Sequence, residues 1–303
     1  MSEVAVSREK IGFFLVIVSS VGFASKSIFV KLAYAYDSID TITILAMRMV
    51  FALTMLGVIV LIRRLRGAER ISMTRQDWLW TIGLGLTGYY LSSLLDFASL
   101  AYITASLERM IIYLYPTMVV LLTAALYRRR IPRRVWGTMA LSYGGIALVF
   151  VEELGVAQTD VWFGSLLAVG AALTYALYLM GTARVVSKIG ALNFTSRVMI
   201  VCATAIFVHF LCVHSLSEIS IPLPALGYGA FLGFFSTMLP IYALAAGISM
   251  MGAPKASMVS MAGPLMTLLL GAVFLGERLT GLQMGGVALI MFGVGLTGRL
   301  KTA

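Results

Sequence analysis

Long apolar segments, separated by short polar connections, make up almost the whole chain. Ten of them can be drawn, at 11–33, 40–62, 77–99, 103–126, 133–151, 161–183, 194–214, 225–248, 253–275 and 281–298. A helix of about 20 apolar residues crosses the hydrocarbon core of a bilayer, which is roughly 30 Å thick. Strands of a membrane barrel would instead alternate polar and apolar positions over about 10 residues. The pattern therefore predicts an all-α membrane protein with ten transmembrane helices and no separate soluble domain.

The chain around Pro116 and the chain around Pro264 share one plan. Each has small residues, an apolar span with one proline, a charged elbow and a Gly-rich span. Aligned on the two prolines, the copies agree without a gap at Ala124/Ala272, Arg130/Arg278, Gly137/Gly285, Ala140/Ala288, Leu141/Leu289 and Gly145/Gly293. This agreement predicts two five-helix repeats, residues 1–151 and 152–303. Because each repeat has an odd number of helices, the second must enter the membrane from the opposite face, so the repeats are inverted.

The composition agrees with a membrane protein. Of the 303 residues, 60% are hydrophobic and only 12% are charged, and the mean hydropathy is +0.96. One soluble core could not cover so much apolar surface. In a soluble protein the net charge of +10 would suggest nucleic acid, but here the basic residues lie in the connections between apolar segments. We therefore expect a lipid bilayer around the chain and no nucleic-acid partner.

The charged connections fall into two sets. Those before helix 1 and after helices 2, 4, 6, 8 and 10 are basic, with Arg8, Lys10, Arg63, Arg64, Arg66, Arg70, Arg75, Arg128, Arg129, Arg130, Arg133, Arg134, Arg184, Lys188, Lys255, Arg299 and Lys301. The other connections are acidic, with Asp37, Asp40, Glu152, Glu153, Asp160, Glu218 and Glu277, and Arg278 as their basic residue. Because short basic connections stay on the cytoplasmic side, both termini are predicted to be cytoplasmic.

Inverted repeats are typical of secondary transporters, in which one half moves against the other around a site near the bilayer midplane. Residues 276–280, Gly-Glu-Arg-Leu-Thr, and the doubled proline and Gly-rich spans resemble the ten-helix EamA-type members of the drug/metabolite transporter superfamily over essentially the whole chain. The resemblance implies a bacterial inner-membrane exporter or exchanger of small organic metabolites. It also implies a central cavity lined mainly by helices 1, 3, 4, 6, 8 and 9, with helices 5 and 10 at the periphery.

The chain departs from the family pattern in two places. Arg128, Arg129 and Arg130 replace Gly-Glu-Arg in the first copy, which keeps this elbow basic. The Glu-Pro pair that is common in the family is missing, because Tyr115 and Gly263 precede the two prolines. A coupling role of that family glutamate therefore has no counterpart here.

Charged residues inside predicted spans are candidate functional residues, because burying charge in a membrane is costly. They are Lys26, Lys31, Arg48, Asp96, Glu108, Arg109 and Arg197. The first six are expected in one layer of the non-cytoplasmic half, with four positive and two negative groups. This excess of positive charge favours a substrate with a carboxylate, bound by Lys26, Asp96, Glu108 and Arg109, and the two carboxyl groups are candidates for proton coupling. The alternative is a structural ion-pair network, with an architectural role for Arg48 and Arg197.

Aromatic and thioether side chains complete the predicted substrate site, because they suit an apolar substrate body or an organic cation. The candidates are Tyr90, Tyr113, Tyr175, Tyr178, Tyr242 and Met258. Small and polar residues also follow one face of helix 1, at Ser19, Gly22 and Lys26, and one face of helix 3, at Thr81, Gly85, Gly88, Ser92 and Asp96. Either face could line a cavity or pack closely against another helix. Pro116, Pro240 and Pro264 interrupt helices and are predicted hinges or static kinks.

Other chemistry is not indicated. Residues 83–88 match a dinucleotide fingerprint but lie in a span and follow no strand. His209 and His214 lack metal-ligand spacing with a nearby Cys, Asp or Glu. We therefore expect no metal, no cofactor and no enzymatic activity.

The sequence thus predicts a secondary active transporter, monomeric or homodimeric, that exports a small metabolite such as an amino acid or another carboxylate by alternating access. A multidrug or organic-cation exporter is the alternative within transport. A polytopic membrane enzyme or scaffold is the alternative of another class.

Overall fold

The computed structural model describes residues 2–67, 72–128, 131, 133–156, 160–215, 221–251, 256, 259–260, 262–278 and 280–299. Every regular element in these ranges is helical. The α-helices are α1 Ser2–Ala33, α2 Thr41–Leu65, α3 Arg75–Leu84, α4 Ser92–Ser99, α5 Ala105–Ile112, α6 Tyr115–Leu126, α7 Arg133–Val156, α8 Val161–Ile189, α9 Ala191–Val213, α10 Leu223–Gly233, α11 Leu239–Met251, α12 Gly263–Leu275 and α13 Gly281–Arg299. Two π-helical turns join α3 to α4 and α10 to α11, and we call them π1 (Gly85–Leu91) and π2 (Phe234–Met238).

Six helices in the described part are long and apolar enough to cross a membrane: Glu9–Ala33, Thr41–Leu65, Ala105–Leu126, Val161–Ile189, Ala191–Val213 and Leu223–Met251. Three shorter apolar helices are Trp136–Glu152, Gly263–Leu275 and Gly281–Gly293. The all-helical membrane class is therefore confirmed, whereas the count of ten spans stays a prediction. The predicted start of helix 9, at 253–258, lies almost wholly outside the described residues.

Two of the spans are broken at a proline. Pro116 stands in the first turn of α6, and Pro264 stands in the first turn of α12. A proline is tolerated there because its missing N–H would have had no intrahelical partner. Threonine hydroxyls bond to carbonyl groups next to the breaks, with Thr117 donating to Leu114 at 2.8 Å and Thr267 donating to Gly263 at 3.2 Å.

The two π turns occupy matching places in the chain. Gly88 lies at the centre of π1 and Ser236 at the centre of π2, and the interval between them equals that from Pro116 to Pro264. A π turn inserts one extra residue into a helix and changes which side chains face each neighbour.

Small residues allow three close helix pairs. Gly22 of α1 packs against Pro240 of α11, where an added Cβ would lie 2.5 Å from the proline ring. Gly88 packs under the Tyr178 ring of α8. Gly145 of α7 and Gly286 of α13 approach so closely that a Cβ on either would lie within 2.7 Å of the carbonyl oxygen of the other. Close packing through glycine is the usual way in which membrane helices gain contact area.

The basic connections contact one another at one end of the bundle, and the acidic connections contact one another at the other end. At the end we call basic, Lys188 pairs with Asp77 at 2.6 Å, and the Arg63 guanidinium donates to the Asn193 side chain at 3.3 Å. At the other end, which we call acidic, Thr280 donates to Glu152 at 2.8 Å.

The acidic end is also closed by the elbow between α12 and α13. Gly276 ends α12 in the left-handed conformation, with φ of 65°, which glycine adopts without strain. The following Glu277 accepts from the backbone N–H of Ala105 at 2.9 Å and of Ser106 at 3.3 Å, and from the Ser106 hydroxyl at 2.6 Å. This carboxylate thus caps the first turn of α5, where negative charge is favourable.

Candidate functional site

Four of the residues singled out as charged candidates meet in the interior. Lys26 of α1 forms an ion pair with Asp96 of α4, and its Nζ lies 3.7 Å from Oε1 of Glu108 of α5. The Ser27 hydroxyl donates to Oε2 of Glu108 at 2.5 Å. Glu108 is fully buried. We call Lys26, Ser27, Asp96, Glu108 and the adjoining Arg109 the ion cluster.

Two carboxylate oxygens of the ion cluster are not hydrogen-bonded. Oδ1 of Asp96 and Oε1 of Glu108 are buried and have no hydrogen-bond donor. Both carboxyl groups lie beside the same Nζ of Lys26. Protonation of one carboxyl group would leave a single negative charge for Lys26. The geometry is therefore that of two buried carboxyl groups beside one lysine.

Arg109 follows Glu108 directly, but no carboxylate in the described residues forms an ion pair with it. Its Nη2 donates to the carbonyl oxygen of Phe23, and its Nε donates to the Thr267 hydroxyl at 3.2 Å. The side chain is only 7% exposed and forms no ion pair within the described part of the chain. Its guanidinium carbon lies 5.9 Å from the centroid of the Tyr113 ring, so the ion cluster borders directly on aromatic surface.

Five tyrosines continue from there and form what we call the tyrosine cluster: Tyr89, Tyr113, Tyr115, Tyr175 and Tyr178. Their ring centroids are spaced by 6.5 Å from Tyr113 to Tyr115, 5.2 Å to Tyr175, 5.8 Å to Tyr178 and 5.4 Å to Tyr89. Edge-to-face and stacked pairs at these distances are favourable. The cluster lies across α5, α6, α8 and π1, so it joins the two halves of the sequence.

Three predicted substrate residues lie elsewhere. Tyr90 is bonded to Nδ1 of His209 at 3.0 Å, which places it between π1 and α9. Tyr242 packs half-buried against the core around α2, and no described hydrogen bond or ring contact joins it to either cluster. Met258 lies outside the described residues. Substrate binding by any of these residues stays a prediction, as does a hinge role for the three prolines.

The two stripes of small and polar residues are helix contacts along most of their length. On α1, the Ser19 hydroxyl donates to the Pro240 carbonyl at 2.9 Å, and Gly22 packs against the same proline. On the other stripe, Gly85 packs against Val201, and the Ser92 hydroxyl donates to the Ala171 carbonyl at 3.0 Å. Only the last member of each stripe, Lys26 or Asp96, reaches the ion cluster.

Several residues of the site were missed from the sequence. Ser27 and Thr267 are ordinary hydroxyl residues in apolar spans, and nothing in their spacing distinguishes them from residues that bond to their own helix. Tyr115 carried a usable signal, because it precedes Pro116 at the break between α5 and α6.

An open hollow lies at the acidic end. It is lined by Lys31, Tyr34, Ile39, Asp40, Thr41 and Leu100. The Tyr34 hydroxyl donates to the carbonyl oxygen of Phe97, the residue after Asp96, at 2.8 Å. Lys31, which also lines the hollow, donates to the carbonyl of Ile103 at 2.6 Å.

Comparisons with known proteins agree with one another. The model of the EamA-like transporter family matches the chain twice, at residues 10–151 and 162–299. The uncharacterized transporter YcbK of Bacillus subtilis is 29% identical over 96% of this chain and 94% of its own. The uncharacterized transporter sll1319 of Synechocystis is 22% identical over the same shares. A solved crystal structure, 19% identical in sequence, superposes with a TM-score of 0.61 over 97% of this chain and 99% of its own, which shows a common fold.

Proposed function

The chain belongs to the EamA-like transporter family, and from this premise we propose that it is a secondary transporter of a small organic metabolite. The names of its relatives point to transport rather than to an enzyme. Homologues in bacteria favour the plasma membrane as its location. The finer proposal is export of an amino acid or another carboxylate by alternating access.

One observation supports an amino acid as the substrate. The ion cluster and the tyrosine cluster meet at Arg109 of α5 and at Tyr113, the C-cap residue of this helix, one turn later. A small molecule at this junction would have its charged group beside buried ions and its apolar body beside aromatic rings. Binding sites for small molecules commonly combine an apolar lining with a few placed polar groups. An amino acid has both parts.

A second candidate substrate is an organic cation. Two carboxyl groups share one lysine in the ion cluster, and the neighbouring tyrosines could stack on a cationic body. Arg109 disfavours this interpretation, because a cation at the junction would lie beside a guanidinium that has no ion pair in the described part of the chain.

We further propose ten spans arranged as two inverted repeats. The matching positions of π1 and π2, the two proline breaks and the double match to the family support it. The segregation of basic and acidic connections supports cytoplasmic termini. A cysteine introduced at Ser72 should then be shielded from an impermeant thiol reagent in intact cells. Labelling of this cysteine would show that the orientation is the opposite one.

The transport proposal is tested with purified protein in liposomes loaded with a panel of L-amino acids, their amides and quaternary ammonium ions. We expect release of at least one amino acid above protein-free liposomes, with its amide released more slowly. Faster movement of the quaternary ions would support the cation exporter instead. Movement of none of these probes would contradict the proposed substrate class.

A further inference from the structure

Arg48 is a buried cation that belongs to neither cluster. It lies on α2 and is only 7% exposed. Its Nε donates to the Thr237 hydroxyl at 2.9 Å, and its Nη1 reaches the Ser93 hydroxyl at 3.5 Å, the limit of a hydrogen bond. Its guanidinium carbon lies 5.2 Å from the centroid of the Phe97 ring. Every one of these partners is neutral.

The negative groups nearest to Arg48 are engaged elsewhere. Asp96 and Glu108 both pair with Lys26, and Arg48 has no ion pair in the portion of the chain that the structure describes. An arginine cannot lose its charge in a protein. Burying a charge among neutral partners leaves part of its desolvation cost uncompensated. The surroundings of Arg48 therefore lack one anionic group.

The π2 turn fixes how Arg48 is held. In this turn the Thr237 hydroxyl donates to the carbonyl of Leu232, five residues earlier, at 2.7 Å. Because its only hydrogen is used there, the oxygen can only accept from Arg48. The guanidinium is thereby anchored through Nε, and its Nη edge is left with the weak contact to Ser93. Single π turns within helices often occur at functional sites.

Arg109 is held in the same way. Its Nε donates to Thr267, whose hydroxyl in turn donates to the carbonyl of Gly263 in its own helix. Arg48 and Arg109 thus share four features: burial, a threonine anchor at Nε, an aromatic ring near the guanidinium and no carboxylate partner within the described ranges. The Nη2 of Arg109 donates to a backbone carbonyl, however, whereas Arg48 has no bond of this kind to any residue that the structure describes.

We infer that Arg48 binds the anionic group of the transported molecule, and that this group is a carboxylate. The inference rests on the proposed transport function and names the residue that recognises its substrate. A carboxylate can accept two parallel N–H bonds from one guanidinium, which adds both strength and geometric specificity. Thr237 is then a positioning residue, because it orients Arg48 without contacting the substrate.

The test compares acids with their uncharged or cationic amides in detergent-purified, monodisperse protein. The probes are benzoate against benzamide and L-leucine against L-leucinamide, and the readout is thermal stabilisation as a function of probe concentration. We expect wild type to prefer at least one acid, and Arg48→Met to lose that preference by about tenfold or more. Arg48→Lys should lose part of it, because a lysine is a point charge without the planar fork. Arg64→Met, at the exposed end of the same helix, should keep it.

Thr237→Val covers the case in which Arg48→Met does not fold, because it retains the charge and removes only the anchor. Loss of the acid preference in this variant supports the inference. A wild type that treats acids and amides alike overturns it, and so does a preference that survives in Arg48→Met or Thr237→Val. Liposome transport by the same preparations separates the two proposals. If the wild type transports and the variants retain the acid preference, only the role of Arg48 is contradicted. If the wild type does not transport, the proposed function itself is contradicted.

Discussion

The ion cluster and the matching positions in the second half of the chain differ completely in charge. The alignment on the two prolines pairs each charged residue with a neutral one: Lys26 with Thr174, Asp96 with Leu244 and Glu108 with Ala256. It also pairs Ser27, which bonds to Glu108, with Tyr175 of the tyrosine cluster. Glycines, proline breaks and π turns, in contrast, recur in both halves. The features that pack helices are shared, whereas the charged features that we propose for the substrate site are not.

This difference has a physical reason. Helix contacts depend on backbone approach, which small residues permit wherever they recur. A binding site needs different chemistry on its two sides, because its ligand has different ends. Suppose that the ion cluster binds charged groups and the tyrosine cluster binds the apolar part of a substrate. A substitution in the ion cluster should then affect proton coupling or the preference for charged substrates, and a substitution at the equivalent position of the second half should not.

The largest effect is expected at the two carboxyl groups that we propose for proton coupling. Asp96→Asn or Glu108→Gln replaces one of these buried groups by an amide, which cannot take up or release a proton. We expect accumulation driven by a pH gradient in proteoliposomes to be abolished, while exchange of substrate across the membrane persists. Asp160→Asn, at the exposed start of α8, is the matched control and should retain both activities. Unchanged pH-driven transport in both cluster variants would rule out proton coupling at this pair.

The next effect concerns stability. Lys26→Met leaves Asp96 and Glu108 buried without their counter-ion, and breaking a buried ion pair on one side commonly costs about 3–5 kcal/mol. We expect a clear fall in the melting temperature of the purified protein. Thr174→Val, at the equivalent position, should have little effect, because its hydroxyl bonds only within its own helix. Adding Glu108→Gln to Lys26→Met should recover part of the loss, and equal melting temperatures for Lys26→Met and wild type would contradict the ion pair.

The smallest effect tests the packing of the tyrosine cluster. An added Cβ at Gly88 would collide with the Tyr178 ring, and overpacking of this kind typically costs about 1–3 kcal/mol. Gly83→Ala, in the same span, meets nothing within 4 Å and should be neutral or gain up to about 1 kcal/mol from helix propensity. The difference in melting temperature between the two variants is the measurement. A Gly88→Ala protein as stable as Gly83→Ala would mean that Tyr178 does not lie over π1.

The sequence located the helices and the members of the ion cluster more reliably than their partners. Helix bounds such as Thr41–Leu65 follow from apolar length, which the sequence contains directly. Lys26, Asp96 and Glu108 are conspicuous because each is a charge in an apolar span. The sequence did not show which neighbours Tyr89 and Tyr90 would meet, because π1 inserts a residue and shifts the helical faces. Tyr89 meets Tyr178, while Tyr90 meets His209.

The cap that Glu277 provides on α5 has a consequence for the rate of the transport cycle. If the acidic end opens during transport, the elbow must leave Ala105 and Ser106, and three charge-assisted hydrogen bonds break together. Hydrogen bonds to charged groups each contribute about 1.5–3 kcal/mol, part of which water restores as the end opens. Because each 1.4 kcal/mol corresponds to a tenfold change in rate, this single carboxylate would govern how often the transporter completes a cycle. Turnover that does not rise in Glu277→Gln would show that another step sets the pace.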